Sequence, residues 1–128
     1  MFIPHIWHKG AEPWEGYPAG GALELKVGQA LVLTNGMLAK ATGENKPEFI
    51  CMQDVEETTE GQLIHVEHVR EETVYETELS VASASIAKGQ KYTMDANGEK
   101  ITATTGGPCE VVNFDGTEAG DKVRIRFR

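Results

Sequence analysis

Two histidines and a glutamate lie close together near the middle of the chain, and side chains of these types bind transition metals. They are His65, Glu67 and His68. If the segment is a β-strand, His65 and His68 point to opposite faces of the sheet, because successive side chains alternate. Zinc sites built on two nearby histidines have them at helical spacing or draw ligands from distant segments. The sequence therefore predicts no metal site here, nor at His5 and His8, which have no carboxylate or cysteine partner at a known spacing.

The two cysteines are the other candidates for nucleophilic or redox chemistry. Cys51 lies in the apolar run Phe49–Met52, which is typical of a buried thiol. Cys109 follows Pro108 at a predicted turn, where we expect more exposure, but no local pattern marks it as a catalytic cysteine. A chain of this length needs no crosslink, so reduced thiols in the cytosol are the simpler expectation, with a disulfide as the alternative.

Other patterns of catalytic residues are equally weak. The serines between positions 80 and 85 lack a Gly-x-Ser-x-Gly turn. The glycine pairs at 20–21 and 106–107 do not open a helix that could hold a phosphate. We therefore predict no catalytic residue, no cofactor and no enzymatic activity.

The size and charge of the chain limit its partners. Its 128 residues are enough for one domain. With 12 basic and 20 acidic residues the formal net charge is −8, which repels a nucleic acid backbone. No stretch approaches the roughly 20 apolar residues of a membrane span, and the start of the chain lacks a basic region followed by an apolar run. Neither nucleic acid, nor a membrane, nor secretion is expected.

The first 21 residues differ in texture from the rest. Three prolines and four glycines predict an extended N-terminal arm, since proline removes a hydrogen-bond donor and glycine weakens regular structure. The arm carries Trp7, Trp14 and Tyr17. Such aromatics either pack back on the domain or anchor a partner, and we assign these three as candidate partner-binding residues.

From Ala22 onward, short β-branched and apolar runs end in turn residues, which predicts strands. Asn35-Gly36 and Asn97-Gly98 predict two tight hairpins. The segment Val81–Lys88 predicts at most a turn of helix. The ten predicted strands are Leu23–Val27, Ala30–Thr34, Met37–Ala41, Glu48–Gln53, Leu63–Val69, Val74–Leu79, Lys91–Met94, Lys100–Ala103, Glu110–Phe114 and Lys122–Phe127.

The two Asn-Gly turns belong to a longer internal repeat. Segment 26–66 aligns with 88–125 through a Gly-Gln strand, an Asn-Gly hairpin, a strand introduced by proline and a final strand, in the same order. We therefore predict an all-β fold, a compact β-barrel or sandwich of two tandem pseudo-repeats closing on each other about a pseudo-two-fold axis. The predicted boundaries are an arm at 1–21 and one β domain at 22–128, with repeat one at about 22–70, a connector at 71–87 and repeat two at about 88–128.

The run Val27–Ala41 and its counterpart Ala87–Asp95 resemble small capsid decoration proteins, of the cement or head-fibre type, from tailed bacteriophages and prophages. The resemblance implies a non-catalytic structural protein that binds the outer capsid surface and stabilises the shell. It implies the major capsid protein, or another large protein assembly, as the partner. It also implies synthesis in the bacterial host cytoplasm and a final place on the capsid exterior of the virion. The acidic segment 54–60 departs from the pattern, because its counterpart at 115–120 is shorter.

Several alternatives stay open. The chain could instead be a bacterial β-barrel binding or interaction module unrelated to capsids, or a small metal-dependent, cupin-like enzyme. The enzyme would require His65 or His68 to meet distant acidic residues. The sequence leaves the free protein as either a monomer or a homo-oligomer such as a trimer, and it does not identify which capsid is bound.

Overall fold

A computed structural model describes residues 1–6 and 15–128, and these residues form eleven strands and no helix. Val81–Lys88, where at most a turn of helix was predicted, forms turns and irregular structure. Nine of the ten predicted strands are present to within two residues of their expected ends, whereas Leu23–Val27 forms only a single bridge between Leu25 and Val55. The strands are β1 (Ile3–Ile6), β2 (Glu15–Pro18), β3 (Ala30–Thr34), β4 (Met37–Lys40), β5 (Phe49–Cys51), β6 (Leu63–His68), β7 (Val74–Glu78), β8 (Lys91–Met94), β9 (Ile101–Thr105), β10 (Cys109–Phe114) and β11 (Lys122–Phe127).

The strands form two antiparallel sheets that pack together as a sandwich. One sheet has the order β2-β6-β5-β3-β4 and the other β1-β7-β11-β10-β8-β9. Neither sheet closes into a barrel, so the sandwich form of the predicted fold is confirmed and the barrel form is wrong.

The internal repeat is visible in the strand order. We call β2–β6 the first half and β7–β11 the second half. Replacing each strand of the first half by the one five positions later converts β2-β6-β5-β3-β4 into β7-β11-β10-β8-β9, and β1 is an additional edge strand on β7. The predicted pair of similar halves is therefore confirmed. The repeating unit includes β2, which falls in the predicted arm, and β7, which falls in the predicted connector.

Equivalent positions also share their hydrogen bonds. Gly28 and Gly89 both have a positive φ, 86° and 83°, and each introduces the first strand after it. The amide of Gly28 donates to the carbonyl of Cys51 at 2.7 Å, and that of Gly89 donates to the carbonyl of Val111 at 2.8 Å. A residue pairing in one half therefore has a definite counterpart in the other.

Both ends of the N-terminal arm belong to the sheets. β1 pairs with β7 and β2 pairs with β6, each at the edge of its sheet, where proline is tolerated. Phe2 is buried, its amide donates to the carbonyl of Gly28 at 2.6 Å, and its ring lies 4.9 Å from that of Phe127. The two described ends of the arm are extended strands, and its start is part of the core.

Only one of the two predicted hairpins is tight. Asn35 and Gly36 have φ values of 53° and 79° and join β3 to β4 in a two-residue turn. In the second half, Asn97 does not have a positive φ and the connection spans residues 95–100. The prediction failed there because Gly98 meets the first half, where it accepts a 2.8 Å hydrogen bond from the amide of Ala30.

The contacts between the halves are not reciprocal. We call the inner face of each half the sheet face that carries Phe49 in the first half and Phe127 in the second. The opposite sheet face is called the outer face. Ala30 and Ile50, on the outer face of the first half, are fully buried against the inner face of the second half. Their partly exposed counterparts are the paired residues Lys91 and Glu110. The pseudo-two-fold expectation is therefore wrong, and the halves pack head to tail.

Candidate interaction site

The two histidines that were considered as metal ligands, His65 and His68, lie apart. His68 shares the inner face of the first half with Val66, and His65 alternates to the outer face, as predicted from strand geometry. Within residues 1–6 and 15–128, no group of three histidine, cysteine, aspartate or glutamate side chains is placed to hold a metal ion. The candidate His8 lies outside the described residues.

The two thiols are buried and unbonded to each other. Burial raises the pKa of Cys51, whose Sγ donates to the carbonyl of Gln53 at 3.1 Å, and raises the pKa of Cys109 much further. The expectation of a more exposed Cys109 is wrong, because β10 begins there and turns the side chain into the core. Both environments disfavour the reactive thiolate.

Tyr17 lies at one end of the first half, over an aromatic cluster. Its ring centroid is 4.5 Å from that of Phe49, which is buried, and the Phe49 ring is 4.9 Å from that of His68. Nε2 of His68 lies 3.1 Å from Oε2 of Glu15. β2, β5 and β6 position these side chains, and Leu33 at the end of β3 is also partly exposed. We call Glu15, Tyr17, Leu33, Phe49 and His68 the open end.

Comparison with the equivalent end of the second half shows that the open end lacks a covering protein surface among the described residues. Strand pairing makes His68 equivalent to Phe127 and Glu15 equivalent to Tyr75. Phe127 is fully buried and Tyr75 is 3% exposed, because the outer face of the first half packs over them. The side chains of His68 and Glu15 are instead 41% and 46% exposed. The end that receives a protein surface in the second half is thus open in the first.

The rim of the open end is acidic. Partial burial and the nearby carboxylates of Glu15 and Glu48 raise the pKa of Tyr17. A cavity of about 590 Å³ begins at His68. It is also lined by Lys46 and Glu71, whose 2.6 Å ion pair lowers the pKa of the glutamate. Carboxylates therefore outnumber the one lysine around the aromatic cluster.

Of the three predicted partner-binding residues, the structure places Tyr17 in the open end, whereas Trp7 and Trp14 lie outside the described residues. Sequence reasoning missed Glu15, Phe49 and His68 as parts of this site. The signal that could have found them is the repeat, because a histidine replaces a core phenylalanine at the end of the equivalent strand.

No protein-family model matches this chain, and no curated protein matches it. None of the described residues form a helix able to cross a membrane. The fold and the site define a class: an all-β sandwich of two tandem five-stranded halves, packed head to tail. Its distinguishing feature is that one half keeps its aromatic end partly exposed.

Proposed function

We propose that this protein is a non-catalytic structural protein of a bacteriophage or prophage, which binds the outer capsid surface and stabilises the shell. The observation that carries the proposal is the N-terminal arm, which contains Trp7, Trp14 and Tyr17 and begins with the edge strand β1. Large aromatics and an edge strand are both suited to bind a further protein surface. Synthesis in the bacterial cytoplasm and a place on the capsid exterior are parts of the same proposal.

The N-terminal arm offers two kinds of contact to the shell. Trp7, Trp14 and Tyr17 are its large aromatics, and residues of these types are favoured anchors at protein interfaces. Because β1 is an edge strand, it also offers main-chain groups to which a strand of the major capsid protein could add. The resemblance of Val27–Ala41 to decoration proteins, a segment that includes the exposed β3–β4 hairpin, supports the capsid as the partner.

Co-sedimentation with expanded and unexpanded capsids of the phage or prophage that encodes the chain tests the proposal. We expect saturable binding to expanded shells, and at least tenfold weaker binding for the double variant Trp7→Ala/Trp14→Ala. Val81→Ala, which removes an exposed apolar side chain in the second half, is the matched control and should bind normally. A folded wild-type protein that fails to bind these shells would overturn the proposal.

A further inference from the structure

We propose that copies of this chain associate head to tail, with the outer face of the second half of one copy bound to the open end of the first half of the next. The inference goes beyond capsid binding and does not depend on it. Where both hold, Tyr17 faces a neighbouring copy, and Trp7 and Trp14 remain for the shell.

The contact already occurs once inside the chain. The outer face of the first half, with Ala30 and Ile50, covers the inner face of the second half at Tyr75 and Phe127. Such a non-reciprocal contact leaves one free surface of each kind, since the first half keeps an open end and the second half keeps an uncovered outer face. A second copy has both surfaces, already shaped by the same strand order.

The outer face of the second half is basic where that of the first half is apolar. Lys91, Glu110 and Arg126 lie side by side across β8, β10 and β11, in the places of Ala30, Ile50 and Glu67. Arg128 ends the same face. Lys91, Arg126 and Arg128 thus surround Glu110 at this end of the face, and Nε of Arg128 lies 4.0 Å from a Glu110 carboxylate oxygen. Further along β11, Lys122 and Arg124 are paired with Glu78 and Glu76.

This basic face is complementary to the acidic open end. Inside the chain, burial raises the pKa of Tyr75, and the Glu67 carboxylate, across the contact between the halves, raises it further. The equivalent residues are Arg126 and Glu15, so the same packing between two copies would bring a guanidinium to a carboxylate.

One hydrogen-bond donor of Arg126, its Nε–H group, is unsatisfied within the described part of the chain. Its Nε is buried and has no hydrogen-bond partner among the described residues. Buried donors are normally satisfied, so an acceptor supplied from outside the described chain fits this position. A glutamate of a neighbouring copy is such an acceptor.

A heterologous contact of this kind does not stop at a dimer. It continues until a ring closes or a filament forms, which accommodates the trimer considered from the sequence. An interface with opposed charges on its rim should also weaken as salt is added.

Sedimentation velocity over a range of protein concentrations tests the inference without any capsid. For the wild type in low salt, we expect species larger than two 14.0 kDa chains, which are lost at about 0.5 M salt. Arg126→Glu and Glu15→Arg should each lower the association constant by at least about tenfold. Lys26→Glu, an exposed change of the same charge as Arg126→Glu, is the control and should associate like the wild type.

Mixing the two variants is the decisive step. Arg126→Glu chains have a reversed basic face and Glu15→Arg chains a reversed open end. An equimolar mixture therefore restores complementary pairs at every contact of a filament or an even-membered ring, and at two of the three contacts of a trimer, and it should associate again. Thermal unfolding of each variant first establishes that it folds. A monomeric wild type at all concentrations, association that ends at a dimer, or a mixture that does not recover would each overturn the inference.

Discussion

Gly43 and Met94 exchange two main-chain hydrogen bonds, of 3.2 and 3.0 Å, and this antiparallel bridge ties the segment after β4 in the first half to β8 in the second. Leu33, the counterpart of Met94, pairs with Leu38 of its own half and takes part in no such bridge among the described residues. Two similar halves thus use different surfaces to meet. This asymmetry makes each half a natural control for the other.

The buried contact between the halves should dominate stability. Ile50→Ala removes a fully buried side chain at that contact, and we expect the free energy of unfolding to fall by about 2–5 kcal/mol. Glu110→Ala, at the equivalent position on the uncovered face, should change it by less than about 1 kcal/mol. Urea unfolding of both variants measures the difference, and equal losses would contradict the head-to-tail packing.

The N-terminal residues should stabilise the fold through Gly28. Both Gly28→Ala and Gly89→Ala place a side chain at positive φ, which costs about 1–2 kcal/mol. A Cβ at Gly28 would also lie 1.9 Å from Cγ of Met1, whereas nothing lies within 4 Å of one at Gly89. The Gly28 variant should therefore be the less stable by at least about 1 kcal/mol. Matching midpoints in thermal unfolding would show that Met1 does not pack there.

The two Asn-Gly sequences should respond differently to substitution. Asn35→Ala puts alanine in a left-handed conformation that asparagine tolerates better, so we expect a loss of about 1 kcal/mol. Asn97 has no positive φ, and Asn97→Ala should cost less than about 0.5 kcal/mol. Chemical denaturation of the pair distinguishes them, and the reverse order would mean that the second connection is the strained one.

Tyr75 should make the protein sensitive to alkali. Burial raises its pKa from the ordinary 10.0 to about 12, so the folded state favours the neutral phenol. The stabilisation is complete below pH 10 and is lost as the pH rises from 10 towards 12. Tyr75→Phe should flatten this decline. At neutral pH the same change should cost about 1 kcal/mol, since it removes hydrogen bonds to Arg70 and Thr73.

A pH series of unfolding curves for the wild type and Tyr75→Phe provides the measurement, and the neutral-pH value of the variant is its own reference. If the alkaline limbs of the two proteins coincide, the Tyr75 phenol does not control the decline.

Local patterns predicted the strands well. Alternation in Lys122–Phe127 places Val123, Ile125 and Phe127 in the core, because a strand buries every second side chain. The described ends of the predicted arm are extended, but the edge strands there were missed, since proline and glycine mask strand signals. Leu23–Val27 carries a strand-like pattern, yet its neighbours pair elsewhere and leave it a single bridge.

The candidate site was predictable only in part. Tyr17 was chosen because it is a large aromatic in an irregular segment, which composition alone shows. Its partners Phe49 and His68 come from strands separated by the acidic loops, and only sheet pairing brings them together.

The all-β fold and its duplication are predictable from the amino-acid sequence, because strand alternation and turn chemistry are local properties that recur in the same order in both halves. The way in which the halves meet depends on tertiary packing. The outer face of the first half has Ala30 and Ile50 where the second half has Lys91 and Glu110. This difference in residue type determines which outer face is buried. The free energy of burying a face depends on the surface opposite it, and that surface is set by packing between distant segments.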